Sequence, residues 1–202
     1  EFYPFDLSKE EECYKLLSFM DRRDDIEAFV HCAGFGDIGE IRKTNLKKEV
    51  EMIKLNDISC LILTKSILLR FLEKNRGRVL LVASAASFGV APYMGVYYAT
   101  KSFVYSLAHS YYRELKDEKS KVTISVLCPG PVKTSFQERA NCKTAKDALD
   151  PSKVARYTVK KFMKGRFEIV FGYKMKAAHV ISHILPKKWI SKLLNKKSMI
   201  LD

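Results

Sequence analysis

The sequence predicts an α/β fold built on a parallel sheet. Three observations carry that reading. Short apolar, β-branched runs alternate with longer stretches of helical period. Turn residues punctuate the joins, as in Cys32-Ala33-Gly34-Phe35-Gly36, Asn75-Arg76-Gly77 and Cys128-Pro129-Gly130-Pro131. The 202 residues, 47% hydrophobic and 29% charged, suffice for one domain with a substantial core and are too apolar for a disordered chain.

Taken in order, Phe2-Tyr3-Pro4-Phe5-Asp6-Leu7 reads as a short strand. Ser8-Lys9-Glu10-Glu11 reads as a capping box, and Tyr14, Leu16, Leu17, Phe19 and Met20 give the next helix one apolar side. Ile26–His31 is a second strand, followed by a glycine-bearing turn. From about Asn45 to Leu72, apolar residues at Val50, Ile53, Ile58, Leu61, Leu63, Ile67 and Leu68 mark a long helical stretch with Asn56 inside it. Arg78–Ala83 is a strand that runs into Ser84, and the helix after it carries Tyr97. Lys121–Leu127 is another strand. Thr134 to Asp150 reads as a loop with a helical turn or two. Asp150-Pro151 places a capping residue and a first-turn proline at a helix start, and Gly165 ends that helix. Phe167–Phe171 is the last strand. No repeat or low-complexity tract interrupts the pattern.

Net charge is +13, and it is unevenly spread. From Pro151 onward thirteen lysines and arginines stand against Glu168 and Asp202, giving +11 and leaving +2 for everything before. No apolar run reaches the ~18 residues of a spanning helix, and no leader pattern is visible. The five cysteines are scattered, without a Cys-x-x-Cys pair, as expected of reduced thiols in a cytoplasmic protein with no metal site.

The chemistry concentrates between Ser84 and Lys101. Tyr97 and Lys101 are four apart and share a helix face. A cation there is expected to favour the phenolate, so the phenol can trade a proton with a substrate oxygen. Ser84, at the strand end, can hold that oxygen. Tyr112 with Lys116 and Tyr157 with Lys161 repeat the spacing, but neither has a serine thirteen residues earlier. Those two read as solvated helix pairs worth roughly 0.3 kcal/mol.

These residues resemble the short-chain dehydrogenase/reductase family, over roughly Asp6 to Gly172. Ser84, Tyr97 and Lys101 resemble its catalytic serine, tyrosine and lysine, and Asn56 the helix asparagine that completes its tetrad. Pro129-Gly130-Pro131-Val132-Lys133-Thr134 resembles the Pro-Gly stretch whose backbone and threonine touch the nicotinamide. Ala33-Gly34 resembles the end of its Asn-Asn-Ala-Gly motif, and Asp6 its acidic residue near the adenine. The resemblance implies a Rossmann-like, doubly wound sheet and an NAD(P)(H)-dependent interconversion of a carbonyl and a secondary alcohol. It implies that Tyr97 exchanges the proton, Ser84 bonds the oxygen, and Lys101 holds ribose hydroxyls and depresses the Tyr97 pKa. Asn56 would seat a water linking Lys101 to solvent. It also implies cofactor contacts at Asp6, Ala33, Gly34, Tyr97, Lys101, Pro129, Gly130, Val132 and Thr134, and a homodimer or homotetramer.

Two departures stand out. His31-Cys32 replaces the family's two asparagines, the first of which supports neighbouring strand backbone; His31 can substitute as a donor. No Thr-Gly-x-x-x-Gly-x-Gly turn occurs in these residues. The sequence is expected to lack the first strand-turn-helix-strand unit, starting about fifty residues late by family analogy, to leave an open edge at Phe29 and to bind dinucleotide poorly. The turn that separates NAD from NADP falls in that unit. The rival to an enzyme is a non-catalytic remnant that serves as a binding or scaffold protein. A relative acting on nucleotide sugars is disfavoured by the Pro-Gly-Pro stretch.

Residues 173–202 form a basic extension beyond the domain of residues 1–172. Ala177, Val180, Ile181, Ile184 and Leu185 make one apolar stripe, and Trp189, Ile190, Leu193 and Leu194 another after Pro186. Lysines 187, 188, 192, 196 and 197 line the polar side. The extension reads as a helical lid or a subunit contact, or as a helix lying at anionic headgroups. It lacks a nucleic-acid-binding motif. An apolar tail over the cleft suggests a hydrophobic substrate.

Overall fold

The computed structural model describes residues 1–143, 145–195 and 197–200; Lys196, placed above on the polar side of the tail, lies outside them. Helix α1 (Glu10–Met20) precedes strand β1 (Ala28–His31). The long helix begins as α2 (Leu46–Ile53), where Asn45 caps the amides of Lys47 and Lys48. It passes through a π-helical turn, Lys54–Ile58, and continues as α3 (Ser59–Glu73). Strand β2 (Arg78–Val82) leads through a short 3₁₀ turn, Ala85–Phe88, to α4 (Gly95–Asp117). Strand β3 (Thr123–Leu127), α5 (Phe136–Arg139), α6 (Pro151–Phe162) and β4 (Glu168–Ile169) follow. Helices α7 (Tyr173–Ile184) and α8 (Lys187–Leu193) and a 3₁₀ turn, Lys197–Met199, lie in the tail. Asp150 caps α6, with its carboxylate accepting from the Lys153 amide at 2.8 Å.

The four strands are parallel, in the order β1-β2-β3-β4, with Phe29 beside Val79, Val79 beside Ile124 and Leu127 beside Ile169. Because side chains alternate across a strand, each strand supplies both faces. Val79, Leu81, Ile124 and Val126 enter a core with Ile67 and Phe71 of α3 and Val104 and Ala108 of α4. Leu80, Leu127 and Ile169 point the other way, onto Phe162 of α6. Helices therefore cover both faces, as a parallel sheet requires. The third crossover runs over the opposite face from the first two, so its hand is opposite to theirs. All four carboxyl ends lie along one edge, and the residues leaving them carry the candidate site.

The structure corrects three local expectations. Phe2–Leu7 is not a strand; among the described residues β1 pairs only with β2, so the segment has no ladder to join, and the open edge at β1 is as expected. Ser8 does not form a capping box. Its hydroxyl donates to Asp6 Oδ1 at 2.6 Å, and α1 starts one residue later without a side-chain cap. His31 does not support a neighbouring strand. Its Nε2 meets Ser59 Oγ at 3.2 Å, and that hydroxyl donates to the Leu55 carbonyl, so His31 ties β1 to the helix behind it. Cys13, Cys32, Cys60 and Cys128 are free thiols.

Candidate active site

Three strand ends and one helix converge on a cavity of about 970 Å³. β2 delivers Ser84, β3 delivers Pro129 to Val132, the turn after β1 delivers Gly34, and the first two turns of α4 deliver Tyr97 and Lys101. Ser84 Oγ accepts from the Ala86 amide at 3.1 Å, which fixes the hydroxyl at the start of the 3₁₀ turn and leaves its proton free to donate. Ala85 N donates to the Pro129 carbonyl at 2.8 Å, locking the two strand ends together.

Tyr97 is 9% exposed and packs against Phe136, with ring centroids 5.3 Å apart. Burial pushes its phenol up to about 12, against a hydrogen bond with Ser84 that pulls it down. The expected acidification by Lys101 is not found. The Lys101 ammonium donates to the Val82 carbonyl at 3.0 Å, and burial pulls its own pKa down. The shared helix face places the pair together, but the ammonium is engaged with strand backbone.

Asn56 is 1% exposed, inside the π-helical turn. Its Nδ2 donates to the Phe35 carbonyl at 2.9 Å and to Thr100 Oγ1 at 3.0 Å, and its Oδ1 accepts from the Phe35 amide at 3.0 Å. The side chain clips the turn after β1 to α4, one residue before Lys101. Gly34 fits against this clip only because it lacks a Cβ, which would sit 2.9 Å from Asn56 Oδ1 and 3.3 Å from Lys101 Nζ, at φ +157°.

Gly34, Ser84, Tyr97, Lys101, Pro129, Gly130, Val132 and Thr134 line the cavity, while Asn56 stands behind Gly34. Ala33 and Asp6 are not among the lining residues. Asp6 is occupied by the Ser8 hydroxyl and amide and by Lys9 at 3.5 Å. Thr134 Oγ1 accepts from the Phe136 amide at 3.3 Å, and Val132 bridges to Leu149. The two look-alike pairs are surface contacts, with Lys116 and Lys161 over the rings of Tyr112 and Tyr157 at 5.6 and 5.5 Å.

One feature escaped sequence reasoning. Asp57, next to Asn56, has a buried Oδ1 without a hydrogen-bond partner among the described residues, and burial pushes its carboxyl up to about 7 against the pull of Lys101. An acid between Asn56 and Ile58 in a stretch of helical period was the available signal. The helical lid that the tail offered in the sequence roofs the cavity. Met175 of α7 sits on the Pro-Gly stretch, where a Cβ on Gly130 would be 2.7 Å from its Sδ. His179 Nδ1 lies 2.8 Å from Glu168 Oε1, and its ring stacks on Phe88 at 4.2 Å. No group of three or more metal-ligating side chains occurs among the described residues.

The family model described as short chain dehydrogenase matches residues 1–145. This chain belongs to that family. An uncharacterized oxidoreductase of Bacillus subtilis is 28% identical over 129 residues, which cover 64% of this chain and 48% of the relative. Estradiol 17-beta-dehydrogenase 11 of Rattus norvegicus is 23% identical over 210 residues, covering 100% of this chain and 69% of that one. The chain thus spans about half of the first relative and two thirds of the second. Among solved structures, a short-chain dehydrogenase/reductase from Burkholderia phymatum in complex with NAD superposes with a TM-score of 0.78 at 19% identity, over 89% of this chain and 73% of that one. One from Sphingobium yanoikuyae in complex with NADPH gives 0.79 at 17%, over 89% and 71%. These likenesses establish the Rossmann-like fold of the family.

Proposed function

We propose that this chain carries the catalytic centre of an NAD(P)(H)-dependent oxidoreductase that interconverts a carbonyl and a secondary alcohol. The observation that carries this reading is the convergence of Ser84, Tyr97 and Lys101 on one cavity at the strand ends. The residues fit the nicotinamide half of the cofactor. Lys101 is a buried cation with a single protein acceptor, so further N–H donors remain for ribose hydroxyls. Gly34 leaves open backbone beside it. A bound nicotinamide supplies or accepts the hydride. Ser84 donates to the substrate oxygen, and that bond strengthens as charge develops there. Tyr97, fully protonated at neutral pH, hands its proton to the same oxygen, which favours the carbonyl as the substrate bound. Asn56 keeps Lys101 and the turn at Gly34 in register.

Exposed apolar residues on the long helices, including Ile53 at 41%, Leu69 at 55% and Phe103 at 37%, support the homo-oligomer, which light scattering tests. Free thiols at Cys13, Cys32, Cys60 and Cys128 agree with a cytoplasmic location. One observation favours the rival, a binding protein: a relative from Xanthobacter autotrophicus, 25% identical over 138 residues, is named an inactive 2-(S)-hydroxypropyl-CoM dehydrogenase. A ketone panel with NADH and NADPH separates the two. Turnover abolished by Tyr97→Phe supports the enzyme; no turnover with any ketone and no cofactor-induced rise in melting temperature supports the rival.

A further inference from the structure

The roof of the cavity has two apolar faces. Met175 and Ala178 on α7, and Leu185 just past its end, line the cavity, while Tyr173, Val180 and Ile184 are 79, 60 and 74% exposed. On α8, Ile190 is buried against Gly89, while Trp189 is 63% exposed. Ile181 and Leu193 do both: they line the cavity and stand 49 and 75% exposed. The outer apolar surface therefore runs from both helices to the cavity rim. A lid in water needs one apolar face, and a second costs solubility unless something covers it.

Charge identifies what covers it. Lys174, Lys176, Lys187, Lys188, Lys192 and Lys197 are all exposed around this surface. No aspartate or glutamate occurs between Glu168 and Asp202. Two such faces repel each other, which disfavours a second copy as the occupant. Helices of 12 and 7 residues are too short to span a bilayer, which takes about 20. They suit its surface, where lysines meet anionic headgroups and Tyr173 and Trp189 sit at the level their amphipathic rings prefer.

We propose that the outer face of α7 and α8 docks on an anionic phospholipid surface, and that the cavity beneath takes an apolar, membrane-partitioned carbonyl compound across the rim at Ile181 and Leu193. The docking half stands on the surface alone; the substrate half rests on the oxidoreductase reading.

Trp189 is the single tryptophan, so the emission of the full chain reports this face alone. Vesicles of phosphatidylcholine, with and without phosphatidylglycerol, are the probe. The expected result is a blue shift and co-sedimentation with the anionic vesicles only, reversed by high salt. Lys187→Glu with Lys188→Glu weakens binding by about fivefold or more per lysine. Val180→Asn with Ile184→Asn, both at exposed positions, weakens it with unchanged helix content. Emission indifferent to anionic lipid overturns the docking, as does a blue shift that grows with protein concentration without lipid, the mark of self-association. Tyr97→Phe binds vesicles as the parent does, so loss of turnover and loss of docking are read separately. A long-chain ketone presented in anionic vesicles turns over faster than in neutral ones; equal rates overturn the substrate half.

Discussion

Asn56, behind the cavity floor, makes three hydrogen bonds to protein and is 1% exposed, whereas no residue of α7, the roof, is fully buried. The floor is held by buried polar groups whose every partner is fixed, so removing one leaves others unsatisfied. The roof rests on Met175 against Gly130, the His179 ring on Phe88, and one contact from His179 Nδ1 to Glu168. The proposed chemistry needs oxygens and protons placed to a few tenths of an ångström, which the floor can supply. The proposed substrate admission needs room to adapt, which the roof can supply. If that division is right, substitutions on the floor have large effects and those on the roof small, local ones.

The largest effect is expected at Tyr97. Tyr97→Phe removes the proton donor but keeps the ring against Phe136, so turnover should fall about 10²–10⁴-fold while the melting temperature barely moves. Steady-state kinetics beside a thermal melt reads both. Retained turnover would take the phenol out of the reaction. Next is Asn56→Ala, which strands the Phe35 amide and carbonyl and removes the Thr100 contact. Leaving such groups buried and unpaired costs about 3 kcal/mol in total. Denaturant unfolding measures it, and a loss under 1 kcal/mol would refute the clip.

The floor was legible in the sequence because its parts are local. The Tyr97–Lys101 spacing, the serine at a strand end and the Pro-Gly turn are each fixed within a few residues of chain. The same locality misled where the answer depends on burial. Lys101 stands one helical turn from Tyr97, yet its ammonium reaches the Val82 carbonyl, nineteen residues away in sequence, and the phenol is pushed up rather than down. Ser8 and Glu11 had capping-box spacing, but the Ser8 hydroxyl turns back to Asp6 and the helix starts one residue later. The apolar stripe Ala177, Val180, Ile181, Ile184 and Leu185 was visible, but period alone does not say that Val180 and Ile184 face outward while Ile181 and Leu185 reach the cavity.

A subtler test concerns two buried groups beside the floor that titrate in opposite senses. Burial holds His31 down at about 4, below the 6.5 of the unfolded chain. Its contribution is present in full above pH 6.5 and is lost as pH falls toward 4, about 3 kcal/mol in all. Burial holds Asp57 up at about 7, above the 3.8 of the unfolded chain. Its contribution is present below pH 4 and is lost as pH rises to 7. Between pH 4 and 6.5 the slopes oppose each other, so the parent protein should be flatter than His31 alone would make it. Asp57→Asn should become less stable as pH falls through that window, by about 1.4 kcal/mol per pH unit, and His31→Asn more stable, by a smaller amount because Asp57 is partly exposed and screened. Parallel profiles for the two variants would deny the opposition.

The smallest effect is expected at the roof. His179 Nδ1–H donates to Glu168, which also accepts from the Tyr105 hydroxyl at 3.3 Å. Glu168→Gln keeps an acceptor and removes the charge, weakening the latch by about 0.5–1 kcal/mol. Amide exchange in α7 should then quicken two- to fivefold, while global stability and the exchange of α4 stay as they were. Burial holds His179 below its ordinary range, so the latch is full near neutral pH and loosens as pH falls below the usual imidazole value. If exchange in α7 instead changed only with global unfolding, roof and floor would be one cooperative unit, and the division between them would have to be given up.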